Sequence, residues 1–511
     1  MHAGWWGHRL VLIILLPSWS LAGAALNTTN RSPVTTPIQI SNTVCPAQGS
    51  GCGSLHHFWQ TFHSEPADRC PSSILKLRGT VYILYDVNIS EGFNLRRDVY
   101  IRMAVFVRRL QRQRKRFANV RLVLPPWPRL YHWHSHNLEQ SHLLWRHFFD
   151  LTSLRRYAKV LDYDEFLAEY RTFGMPAPPY VHISQVFRLM HYEVMLEQGI
   201  FRDKYERVSP NADDRACNEY SFVGGPLLQQ ELLRYGRYHC VRFQGSAGLL
   251  ERMLREAIDE DTSGSEDVND MRVYAVLSAE TVLHDHWGDE HFWRARRSMR
   301  FAQPLSQVAE DFRRNVLSTT DTSAGVQRPT LWDMERPKRD AKGGDYLCAH
   351  LRRGDFVKSR ETTTPTLKSA AQQIKQLLRA FNLTTVFVST DATPYELLEL
   401  KELFYRFRFI HFTPESSAQR LQLKDGGVAI VDQLICSYAR YFVGTYESTF
   451  TYRIYEEREI LGFSKASTFN TFCKALGGNC ARNAVWPIVW GDDEDNDDSD
   501  ADYYRNDNDL Y

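Results

Sequence analysis

Net charge is almost absent from this sequence: 62 Lys and Arg are balanced by 61 Asp and Glu, a formal charge of +1. No global field therefore advertises a nucleic-acid partner. No C-x-x-C pair occurs among the nine cysteines, which argues against a structural zinc site. The phosphate loop G-x-x-x-x-G-K-[ST] is missing, which excludes an ATPase-type phosphate cradle. Past the N-terminus no apolar run is long enough to cross a bilayer, and no repeat recurs at solenoid or propeller periods. What remains is a chain of 511 residues, enough to bury two cores of ordinary domain size.

The ends of the chain read as address rather than fold. His8 and Arg9 precede the short apolar run 10–16, and Ala22-Gly23-Ala24 offers small residues for cleavage. Residues 1–24 therefore read as a secretory signal peptide, and a soluble protein of the secretory pathway is expected. Residues 25–74, rich in Thr, Ser, Pro, Asn and Gly, read as a linker or loosely held arm. Residues 491–511 carry an acidic run over 492–502 with almost nothing apolar, and read as a disordered tail. Asn27, Asn30, Asn88 and Asn382 head N-x-S/T sequons. A glycan on Asn88 would have to point away from any ligand beside Glu91.

In an oxidising compartment most cysteines should pair. Cys473 and Cys480 enclose a short loop, and Cys217 and Cys240 flank Gly224-Gly225, so both are candidate pairs. Cys45, Cys52 and Cys70 leave an odd member. Cys348 and Cys436 sit inside apolar strand and helix patterns and read as buried thiols.

Two domains are expected, over 75–269 and 270–490, divided at the polar stretch 259–270. The first opens with the apolar run Val81–Tyr85, as a buried parallel strand would. A polar loop, 86–92, follows, then a helix with Asn94 as its N-cap and Val99, Met103, Phe106 and Leu110 at helical spacing. The basic run 108–116 closes that helix, where cations suit the dipole. Further on, 119–124 reads as a strand, 142–150 and 161–170 as helices, 203–240 as loop-rich and 246–258 as a helix. In the second domain 294–314 reads as one helix. Strands at 346–350, 385–389, 407–412 and 441–443 then alternate with helices at 367–381, 394–404, 428–439 and 450–461. Such alternation means a parallel sheet wound with helices, whose post-strand loops share one edge and bind ligands there.

Three of those loops carry candidate chemistry. Glu91 is a lone carboxylate beside Gly92 and Phe93 after the first strand. His350-Leu351-Arg352-Arg353-Gly354-Asp355-Phe356 follows a strand and offers a guanidinium, whose fork of donors fits phosphate oxygens at any relevant pH. At 444–450, Ser448 and Thr449 stand at an N-cap, where free backbone N–H groups face an anion. An arginine and a helix start converging on one edge suggest a diphosphate site. Other patterns have weaker claims. Asp162-Tyr163-Asp164 is like the D-x-D of metal-dependent glycosyltransferases but opens a helix, so capping is the simpler reading. His284-Asp285-His286 with His291 lacks the spacing of a closed metal site. Arg353-Gly354-Asp355 is an adhesion tripeptide, but here it follows a buried strand.

H-L-R-R-G-D-F (350–356) resembles the arginine motif of fucosyltransferases that use GDP-fucose without a metal. Y-D-V-N-x-x-E-G-F-N-L-R-R-D-V-Y-I-R (85–102), G-G-V-A-I-V-D-Q (426–433), S-T-F (448–450) and R-I-Y-E-E-R-E-I-L-G (453–462) are similar to motifs of the protein O-fucosyltransferase family. The branch resembled fucosylates folded thrombospondin type 1 repeats in the endoplasmic reticulum lumen. The similarity runs from about residue 75 to about residue 485.

The resemblance implies an α/β, GT-B fold: two Rossmann-like domains facing across a cleft, with Glu91 opposite Arg352. It implies Glu91 as catalytic base and Arg352 as the group stabilising the departing GDP. Ser90, Gly92, Phe93, Asn94, His350, Leu351, Asp432, Ser448, Thr449 and Phe450 are then expected around the donor. No metal or cofactor is implied; GDP-fucose is the donor substrate and transfer inverts the anomeric centre. Ser90 departs from the family's usual Pro and so creates the Asn88 sequon. The tail carries no K-D-E-L-like ending. The alternatives are another secretory GDP-fucose-dependent fucosyltransferase, or a binding protein that uses the Arg353-Gly354-Asp355 tripeptide.

Overall fold

Unbroken runs of β-branched and aromatic residues form strands that are buried on both faces, and they seed two parallel sheets here. The computed structural model describes residues 80–112, 119–173, 180–192, 202–208, 233–262, 271–284, 287–477, 480 and 485–491. The signal peptide, the arm, residues 492–511 of the tail, Asn27, Asn30, Cys45, Cys52, Cys70 and Cys217 lie outside them.

The first sheet holds β1 (Val81–Tyr85), β2 (Val120–Val123), β3 (Val160–Leu161), β4 (Val181–Met190), β5 (Lys204–Val208), β6 (Leu233–Gln244) and β7 (Arg272–Leu277). Its order is β3-β2-β1-β7-β4-β6-β5, parallel except for β5, which runs antiparallel to β6. The second holds β8 (Gly344–Leu351), β9 (Thr385–Thr390), β10 (Arg408–Ile410) and β11 (Ala439–Gly444), all parallel, in the order β10-β9-β8-β11. This is the α/β, GT-B arrangement of two Rossmann-like sheets. In each sheet the strand order turns back beside its first strand, at β1/β7 and at β8/β11. Such switch points open the crevice where ligands bind in wound sheets.

The domain division at 269/270 needs correction. β7 begins just after it yet pairs with β1 on one side and β4 on the other, in the middle of the first sheet. The first residues of the polar stretch, 259–262, lie in a helix and the rest fall outside the described residues; composition alone does not separate a segment within a domain from a linker between domains.

The helices used below are α1 (Phe93–Arg112), α2 (Tyr163–Phe173), α3 (Ala247–Thr262), α4 (Glu290–Ser298), α5 (Gln303–Asn315), α6 (Leu367–Ala380), α7 (Pro394–Leu403), α8 (Ser417–Ser437) and α9 (Thr449–Leu461). Five readings change. The 142–150 stretch contains only a short turn, Trp145–His147, before Asp150 caps the next helix. The single helix expected at 294–314 is two, α4 and α5, separated at Met299–Ala302 with Pro304 in the first turn of α5. The loop-rich 203–240 contains β5 and most of β6. Helix α8 starts at Ser417, well before 428, and is broken by the extended, positive-φ Lys424. Asn94 is not a cap, because α1 already begins at Phe93. The Thr393 cap of α7 is as expected, closed reciprocally by Glu396.

Cys348 and Cys436, expected as buried thiols, are joined in a disulfide that ties β8 to α8. Thiols and half-cystines share the same apolar burial pattern, so the strand and helix patterns did not distinguish them. Cys473 pairs with Cys480 as expected. Cys240 is disulfide-bonded, with its expected partner Cys217 outside the described residues.

The two sheets are riveted by polar contacts across the cleft. Gln433 of α8 donates to Asn94 Oδ1 at 2.8 Å and accepts from Arg97 at 2.7 Å. Asp425 accepts from Ser135 and Gln140 of the first half at 2.8–3.0 Å.

The Cys348–Cys436 bond closes a loop of 88 residues, so its removal should loosen the unfolded chain considerably. The double variant Cys348→Ser/Cys436→Ser is expected to lose about 2–4 kcal/mol, read as a lower midpoint in thermal or denaturant unfolding. An unchanged midpoint would show that the bond contributes nothing to stability.

Candidate active site

The loop after β1 is set by one buried guanidinium. Arg96, in the first turn of α1, donates to the carbonyls of Val87, Asn88 and Glu91 at 2.8–3.0 Å. It also lies 3.8 Å from the Asp86 carboxylate. From the far side, the buried Glu280 that follows β7 accepts from the Asn88 backbone N–H at 3.1 Å. A polar loop thus gains the rigidity of an element, at the switch point of the first sheet.

Glu91 stands half-buried at the end of this loop. Burial pushes its carboxyl above the ordinary value of 4.5, against the pull of Arg96 and Arg102. Burial likewise drives Glu280 up to about 7, and Glu91 adds to the shift. Ser90 is exposed and bonded to Asn88 Oδ1 through both its N–H and its hydroxyl. Asn88 itself is exposed, as a sequon requires, and so is Asn382.

In the second sheet, β8 delivers His350, Leu351 and Arg352 to the β8/β11 switch point. His350 is buried, and its ring stacks on Phe450 with centroids 4.3 Å apart. Its Nδ1 lies 2.8 Å from Thr451 Oγ1, whose own proton goes to the Thr445 carbonyl. The imidazole therefore donates through Nδ1 and keeps a free lone pair on Nε2. Burial and Arg352 pull its pKa down to about 3, so it is neutral. Helix α9 begins at Thr449 with Ser448 in the cap position but no side-chain cap bond. Its first-turn N–H groups remain available to an anion. The loop before it is held by Arg360, which pairs with Glu447 at 2.7 Å.

Arg352 and Arg353 part company as neighbours on a strand end should. Arg353 turns inward, pairing with Glu396 at 2.8 Å and donating to the Pro365 carbonyl at 3.0 Å. Arg352 faces the cleft, flanked by the carboxylates of Asp355 and Asp391. Its backbone N–H donates to Thr445 Oγ1 at 2.9 Å. A Cβ on Gly354 (φ +29°) would stand 2.6 Å from Asp391 Oδ2, so only glycine allows this close turn.

Three of the expected contacts have side chains committed elsewhere. Phe93 packs among Trp127, Phe148 and Phe149, and Leu351 is fully buried, so each can offer a ligand only its backbone. Asn94 is spent on Gln433 and Arg97. Asp432 is buried, accepts from Ser389 at 2.8 Å through Oδ2 and has no partner at Oδ1. The N–H edge of a purine base would satisfy that oxygen. Its pKa is raised by burial.

Four side chains around the site escaped the sequence reading: Arg96, His132, Asp391 and Gln433. His132, in the loop after β2, touches both halves. Its Nδ1 lies 3.4 Å from an Arg352 nitrogen, and a Cβ on Gly92 would lie 3.2 Å from its ring. The P-R-L-Y-H-W-H stretch around it has no periodicity that would single it out.

The rival patterns have other engagements where the structure describes them. Asp162 is buried and accepts from the backbone N–H groups of Trp145 and Arg146 at 3.0–3.1 Å, at the head of α2. His284 bonds the Asp98 carboxylate at 3.1 Å; Asp285 and His286 lie outside the described residues. Arg353 is too buried for an adhesion tip. Among the described residues no cluster of three or more His, Cys, Asp or Glu could hold a metal ion.

Residues 82–461 match the model of the family described as GDP-fucose protein O-fucosyltransferase. The chain belongs to that family. It is 74% identical over 458 residues to GDP-fucose protein O-fucosyltransferase 2 of Drosophila melanogaster, covering 90% of this chain and 92% of that protein. The enzyme of the same name in Homo sapiens is 38% identical over 419 residues, covering 80% and 90%. A crystal structure of POFUT1 in complex with GDP-fucose aligns with a TM-score of 0.47 at 15% identity, over 77% of this chain and 98% of that one. The chain is thus a GDP-fucose-dependent protein O-fucosyltransferase, and no helix of its described residues is long and apolar enough to cross a membrane.

The two adjacent arginines should separate structure from ligand binding. Arg353→Ala strands Glu396 and the Pro365 carbonyl, and is expected to cost about 1–3 kcal/mol of stability while leaving GDP affinity near wild type. Arg352→Ala should do the reverse, as read by thermal unfolding beside calorimetric GDP titration. Weaker GDP binding in Arg353→Ala than in Arg352→Ala would reverse the assignment.

Proposed function

We propose that this protein transfers fucose from GDP-fucose to a Ser or Thr hydroxyl of folded thrombospondin type 1 repeats, with inversion and without a metal ion, in the endoplasmic reticulum lumen. The observation that carries the chemistry is that Gly92, the neighbour of Glu91, and Arg352 both lie against His132, from opposite switch points. The acceptor class and the compartment are those the sequence resemblance implies, and the disulfides suit an oxidising lumen.

Fucosyl transfer passes through an oxocarbenium-like state while negative charge grows on the departing diphosphate. Arg352 and the open first turn of α9 are the fixed positive groups that answer this charge, a task otherwise given to a divalent cation. The neutral His350 adds a lone pair beside them for a ligand hydroxyl. Asp432 Oδ1 takes the N–H edge of the guanine. Glu91 accepts the proton of the attacking hydroxyl. Its raised pKa brings it nearer the working pH, where a general base is most effective. One displacement, with base and leaving group on opposite sides of the sugar, inverts the anomeric carbon. A folded acceptor presents its hydroxyl already oriented, which reduces the entropy cost of reaching that geometry.

Glu91→Gln keeps size and hydrogen bonding but removes basicity. Transfer should fall by roughly 10²–10⁴, the usual worth of a general base, with GDP affinity nearly unchanged. Because burial raises the Glu91 pKa, the acid limb of the wild-type rate profile should lie above the range of an exposed carboxylate, activity being lost as pH falls through it. Normal transfer by Glu91→Gln would remove it as the base.

Activity should survive EDTA, because Arg352 takes the cation's task. Loss on chelation that Mn²⁺ restores would overturn the metal-free reading. Equal rates on a reduced, unfolded repeat would reject the requirement for a folded acceptor.

A further inference from the structure

His132 touches the two halves of the site and no step above uses it. It stands in the loop after β2, half-buried, between the Glu91 loop and the arginine of the second sheet. Arginine can only donate, so the 3.4 Å contact with Arg352 makes His132 Nδ1 the acceptor. The ring proton then sits on Nε2, on the side facing Gly92, whose missing Cβ would fall 3.3 Å from that nitrogen. The neighbouring Tyr131 ring, 55% exposed, covers the imidazole with centroids 3.6 Å apart. Burial, helped by the charges of Arg352 and His134, holds the ring neutral.

The guanidinium also lies 5.4 Å over the Phe356 ring, which accepts no hydrogen bond in its plane, and its other hydrogen-bonding partners are carboxylates, Asp355 and Asp391. A carboxylate orients an arginine but also cancels the charge that a diphosphate needs. A neutral acceptor orients it without that loss.

We propose that His132 is a positioning residue: its neutral imidazole, seated against Gly92, accepts from the Arg352 guanidinium and holds it toward the diphosphate. This inference rests on the function proposed above. It predicts that an uncharged acceptor at the Nδ1 position suffices, and that the imidazole exchanges no proton in the reaction.

The test compares His132→Asn, which keeps an acceptor near the Nδ1 position, with His132→Phe, which keeps the ring and removes the acceptor. Transfer rates, GDP affinity by calorimetry, thermal midpoints and pH profiles are measured on the full chain. His132→Phe should lose kcat on the order of 10–100-fold, as expected when a stabilising group is misplaced by about 1 Å. Its thermal midpoint should stay near wild type. His132→Asn should recover most of the rate, with a pH profile that superimposes on the wild type.

A fully active His132→Phe would overturn the proposal. So would an asparagine variant as impaired as the phenylalanine one, or one that loses a limb of the profile, since proton transfer by the ring would then be at work. A wild-type chain that binds no GDP would instead bring down the functional reading on which the inference stands.

Discussion

A guanidinium taken out of water must find acceptors, and helix α1 carries three of them into the interior. Arg96, Arg97 and Arg102 are all buried, and the demand of each ties α1 to a different part of the molecule. Arg96 collects the carbonyls of the β1–α1 loop. Arg97 reaches Gln433 in the other half and lies over the rings of Phe93, Phe149 and Phe301 at 5.0–5.8 Å. Arg102 pairs with Asp98 and donates to the Glu280 and Val282 carbonyls after β7. Removing one partner of such a buried pair typically costs about 3–5 kcal/mol, because the other charge is left uncompensated. The loop bearing Glu91, the contact between halves and the strand end beside β1 therefore hang on one helix.

That arrangement explains what the sequence made legible and what it hid. Buried parallel strands announce themselves, because both faces must be apolar, and β1, β8 and β9 appear where the runs of Val, Ile, Leu and Tyr stand. Helix ends announce themselves when a side chain does the capping, as at Thr393. The inward-facing L-R-R-D-V-Y-I-R of α1, by contrast, reads as an ordinary amphipathic helix with a polar face to water. Only the tertiary acceptors reveal that the polar face is buried too. β7 was misplaced for a related reason: sheet membership is decided by pairing with β1 and β4, which lie far off in sequence.

The candidate site divides along the same line. Glu91, Arg352 and the start of α9 were legible because each follows a strand, and His350 because it stands at the end of one, where the post-strand loops of a parallel sheet share one edge. Phe93 and Leu351 stand in the same motifs, yet their side chains belong to the core. A motif marks a stretch of chain, whereas the alternation of faces decides which of its residues meet a ligand. His132 and Asp391 were invisible, since nothing local distinguishes a loop residue that a distant loop will touch.

Arg352 shows how the fold keeps a cation available in a half-enclosed cleft. A bare guanidinium there would be costly, and the carboxylates of Asp355 and Asp391 supply counter-charge. They differ in how firmly they are held. Asp391 is fixed by the Arg353 N–H at 2.6 Å and by its close fit against Gly354. Asp355, with its side chain 49% exposed, sits three residues from the arginine on the same loop. An anion that reached the guanidinium would compete with both, and the looser carboxylate is the easier to displace. The counter-charge is thus divided between a carboxylate fixed by the fold and one on an exposed stretch that gives way more readily.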